Sequence, residues 1–252
     1  MKVVGIIPAR YNSTRFPGKP LAMIKGKTMI RRVCEQAWKS KLDAVVVATD
    51  DMRIADEVLG FGGQYVLTNP NHQSGTDRCC EALVSLETQY DAVINIQGDE
   101  PFIDPRQIDL LVDLISQKNI QLASLAKRID DENLLFSPNV VKVVMDNEGK
   151  ALYFSRNPIP FMRNMAQNQW IEKGVFYEHI GIYAYKAPVL RQVAAMQPSS
   201  LEMAESLEQL RWLQNGLPIH MAITESDSVS IDIPSDLLKA EQLARTQTLK
   251  EK

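Results

Sequence analysis

Val45, Val46 and Val47 form a run that is apolar at odd and even positions alike, and Val3-Val4-Gly5-Ile6-Ile7 behaves the same way. Side chains of a strand alternate between two faces, so such runs need cover on both, which a parallel sheet flanked by helices provides. Short runs of this kind at 3–7, 44–48, 65–68 and 92–97 alternate with helix-like stretches at 28–39, 52–60, 77–87 and 105–117. This is a βαβ rhythm. Right-handed crossovers turn it into an α/β fold, an open, doubly wound, mostly parallel sheet with helices on both faces. After about residue 120 the rhythm changes: strands at 122–126, 140–145, 151–155 and 179–185 predict a smaller α+β subregion and a mixed sheet. Helices at 200–215 and 234–250 close the chain. At 252 residues and 45% apolar content one large core is expected, hence a single domain over 1–252. The stretch 158–177, with Phe161, Trp170, Phe176 and Tyr177, reads as a long loop or interface element whose exposed aromatics would favour a homodimer.

Charge is unevenly distributed. The first acidic residue is Glu35 and eight cations precede it, although the whole chain carries 28 basic and 31 acidic residues for a net charge of −3. Arg10, Arg15 and Lys19 fall in the loop Pro8-Ala9-Arg10-Tyr11-Asn12-Ser13-Thr14-Arg15-Phe16-Pro17-Gly18-Lys19, directly after the first strand. Pro8 lacks an N–H and is expected to end strand pairing. Gly18 permits unusual backbone angles, and the cations with Ser13 and Thr14 can meet several phosphate oxygens at once. Ligands of open α/β sheets gather at strand carboxyl ends, where Arg10, Asp50, Gln97 and Asp99 all fall. A nucleoside triphosphate is therefore favoured over a merely solvated basic loop. The acidic remainder argues against a nucleic-acid partner. Cys34, Cys79 and Cys80 make no CxxC pair and read as reduced thiols. There is no signal-peptide pattern, and no apolar run approaches the roughly 18 residues of a bilayer span, so a cytoplasmic protein with no membrane partner is expected.

Other motifs carry two readings each. Ser74 and Asp77 match a helix capping box, while Gly75 lets a backbone approach a base. Asp99, past Val93-Ile94-Asn95-Ile96 with Gly98 providing room, stands where one or two carboxylates plus phosphate oxygens would hold Mg2+. The second acid would be Asp232, whose flanking Ile231 and Ile233 imply strand alternation before Pro234; the plainer reading is an acid at a helix N-terminus. Asp50 and Asp51 read as a strand-end turn, Glu100 as loop packing, and Lys25, Lys27, Arg31 and Arg32 as solvated charges. Period two in 179–185 puts His179, Gly181, Tyr183 and Tyr185 on one polar, aromatic face suited to a hydroxyl-rich ligand, against the default of a structural histidine. Arg156 could pair a carboxylate or sit in a surface salt bridge. Helical spacing over 201–213 groups Glu205, Glu208, Gln209 and Trp212 opposite Met203, Leu207 and Leu210.

In order along the chain, Pro8-Ala9-Arg10 through Pro17-Gly18-Lys19, Ser74-Gly75-Thr76-Asp77-Arg78, Gln97-Gly98-Asp99-Glu100-Pro101, Phe154-Ser155-Arg156, His179-Ile180-Gly181-Ile182-Tyr183-Ala184-Tyr185 and Leu207-Glu208-Gln209-Leu210-Arg211 resemble the 3-deoxy-manno-octulosonate (Kdo) cytidylyltransferases, or CMP-Kdo synthetases. The resemblance runs from residue 3 to about 238. It implies a nucleotide-sugar transferase fold and transfer of a cytidylyl group from CTP to Kdo with release of pyrophosphate. It further implies Mg2+ as cofactor and a product that feeds lipopolysaccharide assembly. By resemblance Arg10, Ser13, Arg15 and Lys19 wrap the β- and γ-phosphates, Ala9 lies near the base, Ser74 and Gly75 recognise cytosine with Arg78 nearby, and Gln97 completes the nucleotide set. Asp99 and Asp232 would hold the metal; Arg10, Lys19 and Asp99 form the catalytic group; Arg156, His179, Tyr185, Glu208 and Gln209 would contact the sugar acid. The chain then divides into a nucleotide part at about 1–120, a sugar-acid and dimer part at about 121–230, and a closing helix. Elementary chemistry agrees with the first role: breaking the bond from the α-phosphorus loads charge onto departing pyrophosphate, and fixed cations there gain most in the transition state. Such transfers rest on positioning and charge, so neither a covalent intermediate nor a dedicated base is assigned. Rival readings are a cytidylyltransferase for 8-amino-Kdo or sialic acid, and a nucleotide-binding regulator without turnover.

Overall fold

The computed structural model describes residues 1–13, 15–227 and 229–250, so Thr14 lies outside the described residues. The chain forms two compact units, Met1–Asp109 with Asp227–Lys252, and Leu110–Ser226.

The first unit holds β1 (Val3–Ala9), a short hairpin of β2 (Met23–Ile24) and β3 (Lys27–Thr28), α1 (Met29–Ala37), β4 (Ala44–Thr49), α2 (Met52–Gly60), β5 (Gln64–Leu67), α3 (Gly75–Ser85), β6 (Ala92–Asn95) and the start of α4 (Pro105–Ile115). Its sheet runs β5-β4-β1-β6, every pair parallel. The both-face apolar runs are buried as their pattern demands: Val4, Ile6, Ile7, Val46 and Val47 are at most 1% exposed. Three of its helices start at a side-chain cap. Thr28 accepts from Arg31 N, Asp51 from Arg53 N, and Ser74 and Asp77 form the full capping box, so α3 begins two residues before the expected 77. Pro8 does not end β1. Pairing with β6 stops at Ile6, while pairing with β4 continues through Pro8 to Ala9, so the missing N–H splits the two neighbours apart on one side only. Lys27, Arg31 and Arg32 are less free than expected: the first two bond Glu35 and the third donates to Ile24 O. Cys34 and Cys79 are buried thiols outside any disulfide, and burial, helped by Glu35, pushes Cys34 up to about 12.

The second unit holds the rest of α4, β7 (Leu122–Arg128), α5 (Glu132–Phe136), β8 (Lys142–Met145), β9 (Ala151–Ser155), α6 (Trp170–Lys173), β10 (Tyr177–Lys186), α7 (Ala187–Ala194), α8 (Ser200–Glu205), α9 (Gln209–Gln214) and β11 (His220–Thr224). β7 pairs antiparallel with β10 and parallel with β11; β8 pairs antiparallel with both β10 and β9. Three expectations are corrected here. The helix over 200–215 is broken by Ser206 in left-handed geometry (φ 53°), which turns Trp212 into the core at 0% exposure and leaves Met203 at 67%. In 158–177 the aromatics turn inward: Trp170 and Phe176 stack over Ile129 and Leu135, and only Phe161 remains strongly exposed at 74%. The third concerns β10, whose pairing with β7 is not an even ladder: its register shifts between Ile180 and Tyr183.

The C-terminal helix α10 (Asp236–Lys250) belongs to the first unit. Ile231, Ala240 and Ala244 pack on Ile24 and Met29, with Phe16, Phe102 and Leu237 around them. The segment before the helix is irregular rather than a strand, and Ile231 N donates to Asp99 O at 2.9 Å. Replacing Ile231 by Ala empties a fully buried site, so a loss of about 2–5 kcal/mol is expected, read as a lowered urea midpoint with unchanged slope.

Candidate functional site

In the order β4-β1-β6 the chain leaves β1 toward one edge and returns on its other side, so the carboxyl ends of β1 and β6 form a topological switch point. A cavity of about 290 Å³ opens there. Its wall includes Ala9, Arg10, Ser13, Arg15 and Lys19 from the cationic loop, Ser74, Gly75 and Arg78 from the start of α3, Gln97 and Asp99 after β6, and Asp232 ahead of α10. Every residue assigned to nucleotide or metal therefore lines one space. Gly98 permits the close approach: a Cβ there would stand 2.8 Å from Pro8 O. Gly18, left-handed at φ 71°, starts the turn that carries Lys19, and its N–H closes the loop on Tyr11 O at 2.8 Å.

Charge converges inside this cavity. The Lys19 ammonium, 14% exposed, lies 2.7 Å from Asp99 Oδ2 and 3.5 Å from Asp232 Oδ1, and Arg15 reaches Asp232 at 3.1 Å. Asp232 is thus not the helix-terminal acid; Asp236 takes that place by accepting from the N–H groups of Asp232 and Ile233. Arg10 has no ion-pair partner among the described residues. Arg78 is 3% exposed, donates to Thr68 Oγ1 at 2.5 Å and stands 3.4 Å from Asp50. Burial lowers its pKa, Asp50 opposes that shift, and Arg10 adds to it. Asp50 is therefore the carboxylate facing Arg78 and more than a turn residue. His72 and Gln73 also line the cavity. Their place in the loop just before Ser74 was the available signal. His72 Nε2 bonds Glu81, which also accepts from Asn69 N. The α3 N-terminus adds the positive end of its helix dipole, favourable to phosphate.

Magnesium fits this donor set. Asp99 and Asp232 already share one cation, and no cluster of three or more His, Cys, Asp or Glu ligands occurs among the described residues. A hard ion would complete its shell with phosphate oxygens and water.

The residues assigned to the sugar acid lie in the second unit. Arg156 donates to the carbonyls of Glu205 (2.7 Å), Pro138 (3.0 Å) and Ser206 (3.2 Å), a set of main-chain bonds in place of a surface ion pair. Guanidinium has five N–H groups, so two remain. Lys142, which no motif flagged, supports it from below: fully buried, its ammonium donates to the carbonyls of Ser137, Val140 and Arg156. A lysine inside the apolar run 140–144 was the visible clue. His179 contacts Phe154 edge-on at 4.9 Å, with Ser124 Oγ 2.9 Å from Nε2 and Gln209 Nε2 3.5 Å from Nδ1. His179, Tyr183 and Tyr185 do share a face, but Trp212 covers the tyrosines, and Tyr185 is a core residue at 0% exposure. Glu208 is half-buried at the start of α9, beside buried Gln209.

The family model described as Cytidylyltransferase matches residues 4–224. A 3-deoxy-manno-octulosonate cytidylyltransferase from Parabacteroides distasonis is 53% identical, covering 95% of this chain and 97% of that protein. The protein of the same description from Cytophaga hutchinsonii is 52% identical, covering 95% and 96%. A solved structure described as CMP:2-keto-3-deoxy-manno-octonic acid synthetase complexed with CTP superposes with a TM-score of 0.91 at 40% identity, covering 98% of this chain and 100% of that one.

Burial pulls the His179 imidazole down to about 3, from an ordinary value near 6.5. The folded ring stays neutral where the unfolded ring takes a proton, so its contribution to stability is complete above about pH 6.5 and is lost as pH falls toward 3. In His179→Gln the fall of unfolding free energy over that window is expected to be shallower by up to about 1.4 kcal/mol per pH unit, measured by urea titration at stepped pH.

Proposed function

The chain belongs to the 3-deoxy-manno-octulosonate cytidylyltransferase family, and on that premise we propose that it transfers CMP from CTP to the anomeric hydroxyl of Kdo, releasing pyrophosphate and activating the sugar for lipopolysaccharide assembly. The observation that carries this reading is one ammonium, Lys19, held between Asp99 and Asp232 in the cavity that Arg10 and Arg15 also line. Arg10, Arg15 and Lys19 are the charges that meet the triphosphate tail, with Ser13 as hydroxyl donor and the α3 N-terminus as a further anion site. As the bond to the α-phosphorus breaks, charge grows on the pyrophosphate side, and cations fixed there lower the barrier more than they tighten ground-state binding. Ser74 and Gly75 hold the base edge. Asp99 and Asp232 would hold Mg2+, which supplies further positive charge to the nucleotide phosphates when bound. The two remaining N–H groups of Arg156 suit the carboxylate of the sugar acid, and Glu208 and Gln209 offer acceptors for its hydroxyls.

The reading extends to a cytoplasmic homodimer without nucleic-acid or membrane partners. No helix among the described residues is long and apolar enough to cross a membrane. Leu152 and Phe161, 62% and 74% exposed, supply apolar surface in the second unit for a second copy. Sedimentation velocity is expected to give twice the chain mass; a monomer across micromolar concentrations removes the dimer from the proposal.

Pyrophosphate release from CTP, Mg2+ and Kdo is the deciding assay, run beside other nucleotides and with 8-amino-Kdo and sialic acid as acceptors. CTP with Kdo is expected to be fastest. CTP binding without product would make the chain a regulator instead. Asp99→Asn should lower release by about a hundredfold or more, with an unchanged circular dichroism spectrum; full turnover in that variant would remove Asp99 from the metal site.

A further inference from the structure

Ser124, on β7, is fully buried opposite the point where β10 carries two residues more than its partner. The register runs Ile180↔Leu125 and resumes at Tyr183↔Ser124. Its Oγ lies 2.8 Å from Ile182 O, 3.1 Å from Ile180 O and 2.9 Å from His179 Nε2. Both carbonyls only accept, and a hydroxyl has a single proton. That proton goes to the carbonyls, chiefly Ile182, so the imidazole nitrogen must give its own to the hydroxyl lone pair. The opposite polarity would set the hydroxyl lone pairs against two carbonyl oxygens in a dry site. With Nε2 protonated, Nδ1 of the neutral ring is a lone pair, and the Gln209 amide at 3.5 Å turns its N–H toward it. The amide oxygen of Gln209 is then left as an acceptor, next in sequence to the Glu208 carboxylate.

We infer that Ser124 is a positioning residue that fixes His179 as its Nε2–H tautomer and, through His179, orients the Gln209 amide, so that this part of the second unit presents acceptors to the hydroxyls of a polyol. No motif in the sequence marks Ser124. The inference deepens the acceptor role given to Glu208 and Gln209 above, and its kinetic arm rests on that reading; its spectroscopic arm does not.

The test is 15N spectroscopy of the full chain labelled at histidine, at pH 7. The three histidines, His72, His179 and His220, are told apart by single replacements of His72 and His220. Wild-type His179 is expected to carry its proton on Nε2 alone. Ser124→Ala should lose that signature and raise KM for Kdo by roughly tenfold, the worth of about one neutral hydrogen bond, with KM for CTP unchanged. Gln209→Glu, which puts an acceptor opposite Nδ1, should place a proton there. A wild-type His179 protonated at Nδ1 overturns the inference without recourse to any variant. So does a folded Ser124→Ala protein with the wild-type tautomer and the wild-type KM for Kdo. If the wild type shows the Nε2–H tautomer but releases no pyrophosphate with Kdo, the inference stands for Ser124 and the functional reading fails.

Discussion

One ammonium, that of Lys19, sits where three distant stretches of chain meet. Lys19 follows the first strand, Asp99 follows β6, and Asp232 precedes α10, and all three converge within 3.5 Å of its nitrogen. A partly exposed ion pair of this kind contributes little net stability, since desolvation offsets most of the attraction. Its worth lies in position. Two carboxylates held about one cation at the switch point of a parallel sheet can exchange or share that cation with a charged ligand.

Holding that arrangement falls to apolar packing and main-chain bonds. Ile231, at 0% exposure, anchors the Asp232 segment under α10, and its N–H bonds the carbonyl of Asp99, so one residue docks both acids. On the other side Gly98 lies against Pro8 where no Cβ would fit, which brings β6's exit loop beside the cationic loop. The acidic floor of the site thus rests on buried packing and a main-chain bond. The cations come from a loop closed by Tyr11 and Gly18.

The second unit solves a different problem, the burial of polar groups. Lys142 spends its three N–H groups on three carbonyls, and the Glu205 carboxylate accepts from Ser155 Oγ at 2.7 Å and Arg156 N at 2.9 Å. Buried charge is tolerated only when hydrogen-bonded in this manner. The result is a fixed turn at 205–206, from which Glu208 and Gln209 emerge. It is also the reason a continuous helix cannot form there: Ser206 adopts left-handed geometry and Leu207 N returns to Glu202 O at 3.2 Å.

By itself the sequence determined whatever depends on neighbours along the chain. Both-face apolar runs called for covered parallel strands, the Ser74–Asp77 spacing matched a helix cap beside its second reading at a base, and seven of the eight cations before Glu35 follow the first strand. Resemblance over nearly the whole length then named the chemistry. What the tertiary structure alone decided depends on residues far apart. It assigned Asp232 to Lys19 instead of to its own helix, put Asp50 opposite Arg78, made Tyr185 core by laying Trp212 across it, and drew Trp170 and Phe176 inward where exposed aromatics were expected. The bulge that sets Ser124 against His179 belongs to the same class. Periodicity reports which side of an element a residue occupies, but only long-range packing decides whether that side meets solvent, a ligand or another side chain.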